Sequence, residues 1–188
     1  MKYRIILPRN NASPPGQEGR RANSTLPADR PIMQPGIFCC AELRHGRNKT
    51  LRFYVPARLS SALMPLDGTI HFTHDEGLEI CLSPFQTDVF DGGARTVSEG
   101  ECQDFNVMWH KDAPFSVILE AVTAYPCRQM GASLDFYYAY RGTFHLKTGG
   151  EDLTISPGML ICLWQADEIC IEADEPQQAT PIIHVAIH

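Results

Sequence analysis

Long apolar runs are missing from this sequence, and so is any spaced pair of cysteines. No stretch approaches the roughly 20 consecutive apolar residues that span a bilayer, so no membrane-spanning helix is expected. Met1 to Asn10 offers only Ile5-Ile6-Leu7 before Pro8 and Arg9 interrupt it, which is too little for a signal peptide. The expectation is a cytoplasmic protein. Cysteines 39, 40, 81, 102, 127, 162 and 170 contain no CxxC pair, which excludes a zinc knuckle or a dithiol redox motif. Their odd number and apolar surroundings read as reduced thiols serving as small hydrophobes. No glycine loop is built to cradle phosphate, and Ser60-Ser61 lacks the G-x-S-x-G elbow of a serine nucleophile. No segment sustains a 3.6-residue apolar period between caps. Helices are not expected.

What is present is unevenly distributed. Residues 1–65 hold 11 Lys+Arg against 3 Asp+Glu, whereas residues 66–188 hold 5 against 19. The basic residues of the first third are scattered, with no basic helix or aromatic-basic motif, so nucleic-acid binding is not indicated. Eight of the 14 prolines lie between Pro8 and Pro65, and Asn10 to Arg21 reads as loop. Within this region only Ile37 to Leu43 and Leu51 to Val55 resemble strands, after a first strand at Lys2 to Leu7.

From Leu66 onward, short alternating segments follow one another between Gly and Asp turns: Thr69–Thr73, Leu78–Leu82, Gln86–Phe90, Cys102–His110, Phe115–Thr123, Leu134–Tyr140, and five more to Ile187. Two of the hairpins are copies. Gly68-Thr69-Ile70-His71-Phe72 returns as Gly142-Thr143-Phe144-His145-Leu146, and Leu78-to-Pro84 is echoed by Leu153-to-Pro157. A Gly-strand-turn-strand-Pro unit repeated about 75 residues apart points to a duplicated small β-barrel. The expected fold is all-β, a cupin-type double β-barrel (bicupin), with halves at 1–112 and 113–188.

Phe85 to Asp112 carries a family resemblance. Its Phe90-Asp91-Gly92 turn followed by Asp104-Phe105-Asn106-Val107-Met108 resembles the HutD/Ves family, and the likeness extends over roughly residues 64–188. It implies a bicupin associated with histidine utilisation or stress responses, with no established catalytic activity. A small-molecule metabolite such as a histidine-pathway intermediate is the partner it implies. The first third departs from the family, which carries Trp-x-Asn-Gly-Gly-Gly-x-Thr where this chain has Pro15-Gly16-Gln17-Glu18-Gly19. A compensated frameshift over residues 10–63 would produce such a Pro- and Arg-rich segment, and reading the gene in its other frames tests it. A barrel damaged there would expose a sheet edge, with a homodimer as the expected consequence.

Alternation along Asp104–Trp109 sends Phe105, Val107 and Trp109 to one face and Asp104, Asn106 and Met108 to the other. Asp104, Asn106 and Met108, with His71, are the candidate ligand-binding residues. Two readings of Asn106 stand side by side: an amide offered to a ligand, or one that ties two strands together. His71 and His74 fall on opposite faces and cannot share an ion, and no His follows Pro157-Gly158 as in metal cupins. Neither a metal nor a cofactor is expected. Asp88 with Asp91, and Glu99 with Glu101, read as solvated surface rather than acid–base pairs. The residues lean away from an enzyme; the alternatives are a cupin-type isomerase or metal-dependent oxygenase, and an inactive relative.

Overall fold

The computed structural model describes residues 2–6, 37–44, 51–53, 55–75, 77–123, 125–129, 134–164, 168–175 and 181–188. Most of the segment read as loop or shifted frame, and the Pro15–Ala22 stretch in particular, lies outside them. Among the described residues there is no helix, and none to cross a membrane. The strands are β1 (Lys2–Ile6), β2 (Ile37–Arg44), β3 (Leu51–Phe53), β4 (Leu59–His74), β5 (Leu78–Leu82), β6 (Asp88–Asp91), β7 (Thr96–His110) and β8 (Val117–Val122). They continue as β9 (Tyr125–Gln129), β10 (Leu134–Tyr138), β11 (Phe144–Thr148), β12 (Glu151–Ile155), β13 (Leu160–Trp164), β14 (Glu168–Ala173) and β15 (Ile182–Ile187). The all-β expectation holds. The described strands form open sheets rather than closed barrels.

The chain divides into two compact units. One is Glu18–Pro114; the other joins Met1–Gln17 to Phe115–His188. The first strand leaves its sequence neighbours: β1 pairs antiparallel with β13, Lys2 opposite Trp164. Nothing in the period of Lys2–Leu7 encodes that choice, because strand pairing across 150 residues is a tertiary decision.

In the unit containing Phe115–His188, a five-stranded sheet runs β1-β13-β10-β15-β8 and a four-stranded sheet runs β12-β11-β14-β9. Their facing sides share one apolar core. Tyr137, Ile161, Leu163 and Ile182 come from the first sheet, and Phe144, Leu146, Ile155, Ile169 and Ile171 from the second. Period-two alternation explains the second sheet: on β11, Phe144 and Leu146 are buried while His145 and Lys147 face outward. One departure from the reduced-thiol expectation appears here. Cys170 of β14 is disulfide-bonded. The β9–β14 ladder shifts register at that point, so the single residue Cys170 stands against Pro126-Cys127 of β9, the two-against-one count of a β-bulge. Cys81, Cys102 and Cys162 are thiols outside any disulfide.

The Glu18–Pro114 unit is built on two long strands. β4 and β7 pair along almost their whole length, Leu59 opposite His110 and His74 opposite Thr96. Halfway, an extra residue, Leu66, sits between Pro65 and Asp67 and shifts the register. A bulge of this kind bends and twists the pair. The first half of β4 and the second half of β7 carry β6 and β2 on their flanks; the second half of β4 and the first half of β7 carry β5 and β3. Residues from both halves, Leu59 and Leu63 with Ile70 and Phe72, then meet in one core with Leu82 and Phe90. The sheet folds onto itself. The repeated hairpins of the sequence are β4–β5 here and β11–β12 in the other unit, each entered through a left-handed glycine, Gly68 (φ 64°) and Gly142 (φ 79°).

Candidate functional site

At the bend in the β4–β7 pair, Asp104 of β7 stands opposite Pro65 and begins a row of buried polar groups. Two glycines let the strands approach there. A Cβ on Gly68 would lie 2.1 Å from the Glu101 carbonyl oxygen, and one on Gly100 would lie 2.4 Å from that of Thr69. Both exceed what any side chain tolerates, so the close approach requires glycine on each strand. The bulge also interrupts the ladder, and Asp67 repairs it by accepting the Gln103 N–H on Oδ1 at 2.7 Å. Phe85, whose N–H reaches the Pro65 carbonyl at 2.8 Å, adopts φ 67°, a left-handed conformation that is costly for a bulky residue.

Along β7, Cys102, Asp104, Asn106 and Met108 share one face, the one turned toward the folded sheet's own core. Asp104 and Asn106 are buried, at 0% and 2% exposure, as is Ser61 across on β4. Ser61 stands opposite Met108 and Leu63 opposite Asn106, so Ser61 and Asn106 are diagonal neighbours. The Ser61 hydroxyl donates to Asn106 Oδ1 at 2.7 Å. With its oxygen so occupied, the Asn106 amide nitrogen is the donor end of the row. Met108 is half-buried against the same core. The two readings of Asn106 meet here: it does bind across the strand pair, but through a side chain rather than the backbone.

His71, the fourth candidate, is not part of this row. It is exposed, on the face opposite Ile70 and Phe72, with its Nε2 3.9 Å from Cys81 Sγ. Strand alternation separates it from the buried row. Its repeat partner, His145, is likewise at the surface, bonded to Asp152 Oδ1 (3.1 Å) and Asp174 Oδ1 (2.7 Å). The hydrogen bond to Asp152 raises the His145 pKa above 6.5; burial opposes it, and the Asp152 charge and Asp174 add to the rise.

Cys102 is the one nucleophile candidate in the row. Burial first, then the charges of Asp104 and Asp67, push its thiol up to about 12. A thiol held protonated is neither a nucleophile nor a metal ligand.

The sequence reading passes over two histidine clusters. In the Glu18–Pro114 unit, His74 is buried between Phe72 and Phe90, with ring centroids 5.8 and 4.9 Å away. Its Nε2 donates to Asp88 Oδ2 at 2.8 Å, and Nδ1 lies 2.8 Å from the Thr96 hydroxyl. Asp88, read from sequence as solvated surface, is thus drawn inward: its strand β6 flanks the first half of β4, while His74 ends the second half. The histidine ties the two halves of the folded sheet together. In the other unit, His184 of β15 contacts Glu120 of β8 and Asp135 of β10. A lone His in the apolar run Ile182–Ile187, and a lone Asp in Leu134–Tyr138, were the signals available for that pair. Among the described residues no three His, Cys, Asp or Glu side chains converge as metal ligands.

Searches by sequence find no match, either to a protein-family model or to a curated protein. Solved structures do match. The PA5104 protein of Pseudomonas aeruginosa PAO1 superposes with a TM-score of 0.69 at 16% identity, over 81% of this chain and 82% of that one. HutD of Pseudomonas fluorescens SBW25 gives 0.62 at 14% identity, over 81% and 78%. A cupin 2 conserved barrel domain protein of Leptotrichia buccalis gives 0.51 at 7% identity, over 83% and 86%. The fold is cupin-like. At these identities the likeness is one of architecture, shared with HutD among others.

Proposed function

We propose that this chain is a small-molecule-binding protein of the bicupin kind, without catalytic activity of its own, and that its ligand contacts the Ser61–Asn106–Asp104 row. The observation that carries this reading is the row itself. A polar group buried without need costs on the order of 1–3 kcal/mol, yet the core-facing side of β7 places Asp104 and Asn106 where apolar residues would serve stability better. The bulge at Leu66 and the left-handed Phe85 support it, since such irregularities gather beside binding sites. The protonated Cys102 argues against thiol catalysis at the same place. The HutD-like architecture points to metabolites of histidine breakdown as the first ligands to try.

Thermal-shift measurements against histidine-pathway intermediates test the reading. A ligand that binds only the folded chain raises its melting temperature, by the equivalent of about 2.7 kcal/mol at a hundredfold excess over Kd. The rise should vanish in Asn106→Ala. No shift with any intermediate, or one that survives the substitution, would count against this site.

A further inference from the structure

Polar groups also converge in the unit containing Phe115–His188, at one end of its core. Cross-strand register arranges the core-facing side of the five-stranded sheet in layers. The outer layer places Asp135 opposite Ala186, and Ala186 opposite Ile118. The next layer places Tyr137 opposite His184, and His184 opposite Glu120. Tyr137 belongs to the core between the sheets, which identifies this side as the inner one. His184 Nδ1 lies 2.9 Å from Glu120 Oε1, and its Nε2 lies 2.7 Å from Asp135 Oδ1. The Tyr137 ring stacks on the imidazole with centroids 4.6 Å apart. The four-stranded sheet brings Thr148 to the same end. Thr148 closes the buried row Phe144, Leu146, Thr148 of β11, and Lys147 beside it pairs with Cys170, near the start of β14. Only residues 165–167 join that start, Glu168, to Trp164 at the end of β13, a span of at most about 14 Å. The residue before Trp164, Leu163, stands opposite Asp135.

Two observations there point to a ligand. The Thr148 hydroxyl, in a residue only 5% exposed, has no hydrogen-bond partner among the described residues. A buried hydroxyl left in that state costs stability and calls for an occupant. The same end also reaches solvent at β8: the Glu120 side chain is 40% exposed and Ile118 46% exposed, although both stand on the core-facing side. We propose that this end of the core is a second binding site, for a small primary amine carried on an apolar group. Acceptors outnumber donors in it, since four carboxylate oxygens face at most two ring N–H groups, whichever protons the imidazole carries. His184 engages one oxygen of each carboxylate, and Tyr137 holds the ring in place. An ammonium group supplies three donors and no acceptor, which complements the remaining oxygens and the Thr148 hydroxyl. The carboxylates favour it over a neutral alcohol, because charge-assisted hydrogen bonds are about twice as strong. Ile118 at the rim gives the apolar group its contact.

Methyl NMR titration of the full chain provides the test, with butylammonium, butyrate and butanol as probes of one chain length. Butylammonium should shift the Ile118 and Thr148 methyl signals saturably. It should leave the Met108 methyl unmoved, which separates this site from the Ser61–Asn106–Asp104 row of the other unit. Butyrate and butanol should leave all three signals in place. Glu120→Gln keeps the side-chain shape but removes the charge, and should weaken butylammonium binding on the order of tenfold. Thr148→Val fills the same space without the hydroxyl and should weaken binding about fivefold. Its urea midpoint without ligand should hold or rise, because an unpartnered hydroxyl contributes no stability. A hydroxyl with a merely structural role would lower that midpoint on removal. No saturable shift, an equal response to butyrate or butanol, a response at Met108 instead, full affinity in either variant, or a lowered midpoint in Thr148→Val would each overturn the proposal.

Discussion

At the scale of single residues, what matters in this protein is which polar side chains are buried and what they are bonded to. Asn106 is 2% exposed and accepts the Ser61 hydroxyl. Asn106→Ala removes that acceptor and leaves the hydroxyl stranded beside the core. Chemical denaturation should show a loss of about 1–3 kcal/mol without ligand present; a neutral result would mean that water already serves the pair. Asn106 and its partners on the same face were legible from alternation alone. Ser61, His74 and His184 were not, because a side chain's partner on another strand leaves no mark in its own neighbourhood of the sequence. His71 stands apart from them: its strand turns it to the surface, away from the buried row.

At the scale of elements, the decisive feature is the bend of β4 and β7. Gly68 and Gly150 are both left-handed, at φ 64° and 84°. A Cβ at Gly150 would meet nothing within 4 Å, whereas at Gly68 it would overlap backbone. Gly150→Ala should therefore cost only the conformational penalty of about 1–2 kcal/mol. Gly68→Ala should cost distinctly more, and equal losses in urea titrations would show that the strands can separate at the bend. The Cys170 disulfide is a second element-scale constraint, placed where the β9–β14 ladder is interrupted. Non-reducing peptide mapping should recover Cys170 in a cross-link, and reduction should lower stability by about 2–4 kcal/mol. Strand spacing and the repeated hairpins were readable beforehand. β9 was not, since Pro126 breaks its pattern, and β4 was read only from Thr69 because its first half alternates poorly.

For the whole molecule, two surface groups with opposite shifts shape the response to pH. Asp91 is held below 3.8 chiefly by the hydrogen bond from Lys111, helped by the Gly93 N–H. Its contribution is present above that ordinary value and is lost as pH falls through the lowered one. His145 is raised above 6.5 by Asp152 and Asp174. Its contribution is full below 6.5 and is lost as pH rises through the raised value. Urea midpoints should thus peak between these limits and decline on both sides, modestly, because both sites are solvated. A midpoint still rising above the His145 titration would contradict the assignment. NMR titration of the His145 ring gives the alkaline limit directly.

The amino-acid sequence by itself determined the class of the fold, for a local reason: period-two alternation and turn glycines act over a few residues, and they are visible wherever the chain is regular. It likewise determined which face of β7 bears Asp104, Asn106 and Met108. Tertiary structure alone decided that β1 joins the strands of the last third, that the β4–β7 sheet folds on itself, and that His74 and His184 find their carboxylates. Those are contacts between residues 14 to more than 150 positions apart. They depend on burial and on satisfying hydrogen bonds across strands, and no local pattern records them.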